Sequence, residues 1–264
     1  NIVIDARYTE NKIERLRGFA DELVRLSPDV IATGGINDAR AAKNATKTIP
    51  IVGLSLGDPL ANGLVESLAR PGGNLTGFAT SVDELFGKRL ELLKEIVPSL
   101  TRVALLYNSQ FPDSARVSKL YRATARELSL QLHFMDVTSP DKFEPAFKEA
   151  VKARSQALAM TSGSFITANQ KRIADSAAKY RLPAISGRDD FVASGGLMSY
   201  GADESERFKR TAVFVDKILK GTKPADIPVE QPMKFEFIIN LKAAKQIGLT
   251  IPPWVLARAD RVIK

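Results

Sequence analysis

Hydrophobic positions along the chain alternate between two periods. Ile13, Leu16, Phe19, Ala20, Leu23 and Val24 lie on one face of a helix, and "SPDVIATGG" then predicts a short buried strand closed by two glycines. A helix over about 37–46 leads to a second apolar run, "IPIVGLSLG", then to a short helix over "LANGLVESLA" and a strand "LTGFATS". An amphipathic helix follows, with Phe86, Leu90, Leu93 and Val97 along one side and Pro98 as its stop. The opening "NIVIDARY" also reads as a strand, from the alternation of Ile2 and Ile4 with their neighbours.

From "RVALLYN" a second series begins, with "DSARVSKLYRATAREL", "LQLHFMDV", "FEPAFKEAVKA", "ALAMTS", "NQKRIADSAAKY" and "LPAISG" in turn. Short, near-continuously apolar strands, each followed by a helix, predict parallel sheets covered on both faces, with right-handed crossovers. The last quarter departs from this rhythm. After "GGLMSYG" and the helix "SERFKRTAVFVDKILKG", the stretch "TKPADIPVEQPMKFEFIINL" is punctuated by prolines and reads as an extended crossing strand. A return so late in the chain predicts passage between two lobes more than once.

With 264 residues, 44% of them hydrophobic, the chain can bury one large α/β core or two smaller ones. The formal charge is +8. Its Lys and Arg sit beside acidic neighbours, as in "GKRLELLKEI", which reads as a solvated face rather than a nucleic-acid footprint. The absence of cysteine excludes disulfides, thiolate catalysis and Cys-ligated zinc. No run approaches the roughly 18 apolar residues of a membrane helix, and the chain opens without a signal-peptide pattern.

The stretch "GLSLG" matches the G-x-S-x-G pattern of a hydrolase elbow, which makes Ser55 a candidate nucleophile. Such an elbow needs a later acid and then a histidine, and the single histidine, His133, falls inside a strand with half the chain still to come. Pro59 also delays any helix after the turn. There is no phosphate loop, no dinucleotide fingerprint and no zincin motif. The pair Asp189 and Asp190 has no second acid assigned across from it. No catalytic set, metal site or cofactor is expected.

Ligands of open parallel sheets bind beyond the carboxyl ends of the strands. Here the loops at those ends, "ATGGINDA", "SLGDPLA", "TSVDE", "YNSQFPDS", "TSGSFITA" and "SGRDDF", share small, hydroxyl-bearing or amide-bearing residues. Gly34 and Gly35 let backbone N–H groups reach an anion at a helix start, or simply make a tight turn. Asp58 either receives an ammonium group or caps the segment that begins near Pro59.

The segments "VIATGGINDARAAKNATKTIPIVGLSLGDPLANGLVESLARPGGNLTGFAT", "GKRLELLKEIVPSLTRVALLYN", "ADSAAKYRLPAISGRDDFVASGGLMSYG" and "VDKILKGTKPADIPVEQPMKFEFIINLKAAKQIGLTIPP" resemble the TrpX-like group of ABC-transporter substrate-binding proteins. The resemblance covers nearly the whole chain. It implies a type I periplasmic-binding-protein fold: two Rossmann-like α/β lobes with parallel sheets, joined by a three-segment hinge. The first lobe would be residues 1–78 plus 202–222 and the second 79–201 plus 223–264, with crossings near 77–81, 198–201 and 222–229.

By the same resemblance, a small solute such as an amino acid or aromatic carboxylate would bind between the lobes. Amides around Gly34, Gly35 and Ile36 would hold a carboxylate, and Asp58 and Asp190 would be ammonium partners. Ser55, Asn108, Ser162 and Arg188 would add polar contacts, and Tyr200 would stack on a ring or pack the hinge. The protein would be a non-enzymatic, monomeric, exported periplasmic component that hands its solute to an ABC permease in the inner membrane, with no nucleic-acid partner. The group normally carries a further βα unit ahead of the position of Asn1, so either the chain is shortened or part of the site comes from residues outside it. The alternative readings are the effector domain of a LacI-type regulator and, behind it, the Ser55 hydrolase.

Overall fold

The computed structural model describes residues 2–10, 12–80, 82–110 and 114–264, with the backbone alone at 82–84. In chain order its elements begin with α1 (Arg15–Arg25), β1 (Ile31–Thr33), α2 (Ile36–Ala45), β2 (Ile51–Gly53), β3 (Leu75–Gly77), α3 (Val82–Ile96), β4 (Arg102–Tyr107), α4 (Ser114–Glu127) and β5 (Gln131–Asp136). They continue with α5 (Phe143–Lys152), β6 (Ala157–Met160), α6 (Ser164–Ala168), α7 (Gln170–Lys179), β7 (Ala184–Ser186), α8 (Asp190–Ala193), β8 (Met198–Ala202) and α9 (Glu204–Leu219). The chain closes on β9 (Phe235–Asn240), α10 (Leu241–Gln246), α11 (Pro253–Leu256) and β10 (Arg261–Ile263).

Two compact units emerge, Asn1–Ser81 with Glu204–Met233, and Val82–Asp203 with Lys234–Lys264. The chain therefore changes unit three times, after Ser81, after Asp203 and after Met233. Residue 81, part of the first expected crossing, lies outside the described residues, as do 111–113 of the "YNSQFPDS" loop. The third change falls later than the expected 222–229, and residues 223–233 belong to the first unit instead of the second. Hydrogen bonding explains the difference. Thr76 Oγ1 donates to the Ile227 carbonyl at 2.8 Å, Glu230 N–H to the Gly77 carbonyl at 3.0 Å, and Ala79 N–H to the Glu230 carbonyl at 2.9 Å. The proline-rich segment is thus tied to the end of β3, where Phe78 forms a parallel bridge with Glu230.

The first unit is built on a parallel sheet of order β1-β2-β3. Alternate residues of β2 face opposite ways, as a pleated strand requires. Ile51 joins Ala39, Ala42 and Leu56 on the α2 side, whereas Val52 joins Phe78, Phe214 and Ile218 on the α9 side. Both faces are therefore covered, which explains why the strand is apolar at every position. Two expectations fail here. Residues 2–9 form no strand, and Ile2, Val3 and Ile4 are 74%, 94% and 86% exposed. Alternation alone does not make a strand, because its N–H and C=O groups need a neighbour, and none pairs with them among the described residues. "LANGLVESLA" forms turns instead of a helix, with Gly63 in the left-handed region at φ 62°.

The second unit holds a sheet of order β10-β9-β8-β7-β6-β4-β5, parallel except where β9 runs antiparallel to β8. Val103 and Leu105 of β4 pack with Phe86, Leu90 and Tyr121 from α3 and α4. Ala104 and Leu106 pack with Phe147 and Ile173 from α5 and α7. Phe86 and Tyr121 stack with ring centroids 3.7 Å apart. The sheet is thus covered by helices on both faces, as the strand-and-helix rhythm predicts.

Candidate functional site

In the first unit the parallel register aligns Thr33 with Gly53 and Gly53 with Gly77, so the loops that follow all leave the same edge of the sheet. They also bond to one another there. Ser55 Oγ lies 3.2 Å from Thr80 Oγ1, Gly57 N–H donates to Thr80 Oγ1 at 3.1 Å, and Thr80 N–H returns a bond to the Gly57 carbonyl at 2.9 Å. A side chain on Gly57 would stand 3.6 Å from Ile36 Cδ1, which places the Gly34–Ile36 loop beside the Ser55–Asp58 loop. Thr33 Oγ1 is buried at the base of this patch without a partner among the described residues.

The polar groups in this patch are partly engaged already. Gly35 N–H donates to Asp38 Oδ2 at 3.1 Å, so the amino end of α2 holds a carboxylate from its own third position. Burial pushes the Asp38 carboxyl above its ordinary pKa, and the amides of Gly35 and Gly34 oppose that rise. Asp58 Oδ1 accepts from the N–H groups of Leu60 at 3.1 Å and Ala61 at 2.9 Å, the capping arrangement that was one of its two readings.

In the second unit, the pairings Tyr107 with Asp136, Leu106 with Met160, Ala159 with Ile185 and Ser186 with Ser199 bring the ends of β4 to β8 to one edge. Asn108, Ser162, Arg188 and Asp190 lie in the loops beyond that edge, and Tyr200 lies in β8. Asn108 Oδ1 accepts from Gln110 N–H at 2.9 Å, while Ser162 is exposed. Arg188 Nε and Nη2 each reach Asp190 Oδ2 at 2.9 Å, while Asp190 Oδ1 is buried with no donor among the described residues. The Tyr200 ring stacks on Phe235 at 6.2 Å and meets Phe237 edge-on at 6.5 Å. The ten expected residues are thus divided, with Gly34, Gly35, Ile36, Ser55 and Asp58 in the first unit and the other five in the second.

Ser55 has no imidazole in its own unit, since His133 sits in β5 of the other, and its hydroxyl faces another hydroxyl. Three groups near these edges went unnoticed in the sequence. Thr80 and Asp38 carried no signal beyond being small and polar. Arg89, read as part of a solvated face in "GKRLELLKEI", is only 3% exposed and packs its guanidinium against the backbone of Gly187.

Two α/β units with mostly parallel sheets, linked by three passages of the chain and carrying polar loops at the strand ends, define the type I periplasmic-binding-protein class. The family model for ABC transporter substrate binding proteins matches residues 1–263, and the chain belongs to that family. A tyrosine-binding protein of Clostridioides difficile is 28% identical over 250 residues, which cover 94% of this chain and 71% of the relative. The crystal structure of a conserved domain protein from Vibrio cholerae superposes with a TM-score of 0.92 at 26% identity, over 99% of this chain and 88% of that one. An ABC domain from Streptococcus pneumonia in complex with L-Trp gives a TM-score of 0.89 at 26% identity, over 99% and 90%.

Proposed function

We propose that this protein is the solute-binding component of an ABC import system, and that its solute is an amino acid or an aromatic carboxylate contacted by both units. The observation that carries the reading is the repeated placement of polar loops at the carboxyl edge of each parallel sheet, in a chain of this family. The relatives' ligands, tyrosine and L-Trp, support an aromatic amino acid. The rings of Tyr200 and Phe235, with the donor-less Asp190 Oδ1 in the same unit, supply surfaces for a ring and for an ammonium group.

On this reading the solute leaves chemically unaltered, because the serines bonded at the two edges, Ser55 to Thr80 and Ser109 to the Asp136 carboxylate, have no histidine base: the chain's one histidine, His133, sits inside β5. Binding closes a hinge equilibrium, since only the closed form makes both sets of contacts. The protein works as a monomer in the periplasm and presents its loaded form to a permease in the inner membrane. No helix among the described residues is long and apolar enough to cross a membrane itself. The family match along the whole chain favours import over the regulatory effector domain.

A thermal-shift panel of the amino acids, benzoate and hydroxybenzoates, with sugars and purines beside them, tests the proposal. A ligand at 100 times its Kd adds about 2.7 kcal/mol of stability, a shift of several degrees. Aromatic amino acids or acids are expected to give it. A shift confined to sugars or purines, or none anywhere, overturns the proposal.

A further inference from the structure

Arg89 lies on α3 and is 3% exposed, yet among the described residues its buried Nε and Nη1 have no hydrogen-bond partner and no carboxylate pairs with it. The ionisable groups that act on it are the tyrosines 121 and 200. An uncompensated buried guanidinium costs a fold dearly, so a protein that keeps one has a use for the charge. Its position indicates the use. A side chain on Gly187 would stand 3.1 Å from the guanidinium carbon and 3.2 Å from both terminal nitrogens. The cover over the charge is therefore a glycine, itself partly exposed, in the loop that leaves β7.

Around this point the other features are also those of a prepared site. A side chain on Gly201 would fall 1.9 Å from the Gly187 carbonyl oxygen, so bare backbone alone permits the approach of these two segments. Asp190 is turned onto Arg188 rather than Arg89. In the first unit, the helix-end amides that would otherwise hold an anion are occupied by Asp38.

We propose that Arg89 is the receptor for the solute's carboxylate, reached at the loop of Gly187. The assignment rests on the solute-binding reading above and deepens it: the ligand class is an anion with a planar carboxylate, which a guanidinium fork pairs with two parallel hydrogen bonds. The neighbouring Tyr200 ring then favours an aromatic body behind that carboxylate.

The test is calorimetry of the wild type, Arg89→Lys and Arg89→Met with L-tyrosine, L-tryptophan and their decarboxylated amines, tyramine and tryptamine, alongside thermal melts without ligand. The wild type is expected to prefer the acids over the amines by about 100-fold, Arg89→Lys to bind the acids more weakly, and Arg89→Met to lose the preference. The ligand-free Arg89→Met protein is expected to melt no lower than the wild type, since no partner is orphaned by the change. Equal wild-type affinity for acids and amines overturns the role of Arg89 and leaves solute binding intact. An Arg89→Met protein that melts many degrees lower makes the residue structural and also overturns it. A wild type that binds neither acids nor amines overturns the aromatic amino-acid reading, and the assignment falls with it.

Discussion

Asp38 Oδ2 accepts the N–H of Gly35 at 3.1 Å, so α2 is closed at its amino end by a carboxylate three residues inside it. Asp38→Ala is expected to cost about 1 kcal/mol in urea unfolding, the usual worth of a lost cap. Asp38→Asn keeps an accepting oxygen and costs less. Burial raises this carboxyl above its ordinary 3.8, so the folded state holds the proton more tightly than the unfolded chain does. Stability then falls as pH rises from 3.8 through the raised folded value. Asp38→Asn is expected to lack that slope, which pH-dependent unfolding measures directly.

Ser55 is hydrogen-bonded to Thr80 and, among the described residues, to no base, so it is expected to bind and not to attack. Ser55→Ala should lower stability by no more than about 1 kcal/mol, and ester turnover by either form should equal a buffer blank. A stoichiometric fluorophosphonate adduct on Ser55 contradicts this.

Gly77 ends β3 at φ 144°, and a side chain there would lie 2.1 Å from the Gly53 carbonyl oxygen. Gly77→Ala is expected to cost more than about 3 kcal/mol, from strained backbone and overlap with a strand neighbour together. Gly73, a few residues before it, has nothing within 4 Å of such a side chain, so Gly73→Ala should stay within about 0.5 kcal/mol. Denaturant midpoints of the two variants check the contrast.

Arg210 and Glu230 form a two-pronged ion pair, one prong of which is Nε to Oε2 at 3.0 Å. The pair fixes α9 to the segment that precedes the last change of unit. Both side chains are about a third exposed, at 38% and 32%, so solvent weakens the attraction. Arg210→Ala is expected to cost about 1 kcal/mol in low salt and less in about 1 M salt, where screening removes much of the Coulomb part. A cost that does not change with salt contradicts this account.

The alternation of apolar strands with amphipathic helices was enough to read most of the fold, because strands buried on both faces leave continuous apolar runs such as Val103 to Leu106. It misled where a pattern lacked a partner, as at Ile2 to Ile4, and where a local residue overruled it, as at Gly63. The candidate site was legible as loops, since strand-end position follows from topology. Side-chain engagement was not, because it is decided by tertiary neighbours. Nothing near Asp190 in the chain shows how its two oxygens differ, and Arg89, next to Lys88 and two residues before Glu91, looks like surface until Gly187 is placed over it.

Small-angle scattering with and without saturating ligand tests capture by both units most directly. With a ligand from the thermal-shift panel bound at one per chain, the radius of gyration should fall, because a solute that both units touch draws them together. An unchanged radius at full occupancy would mean that a single unit does the binding, and would contradict the account.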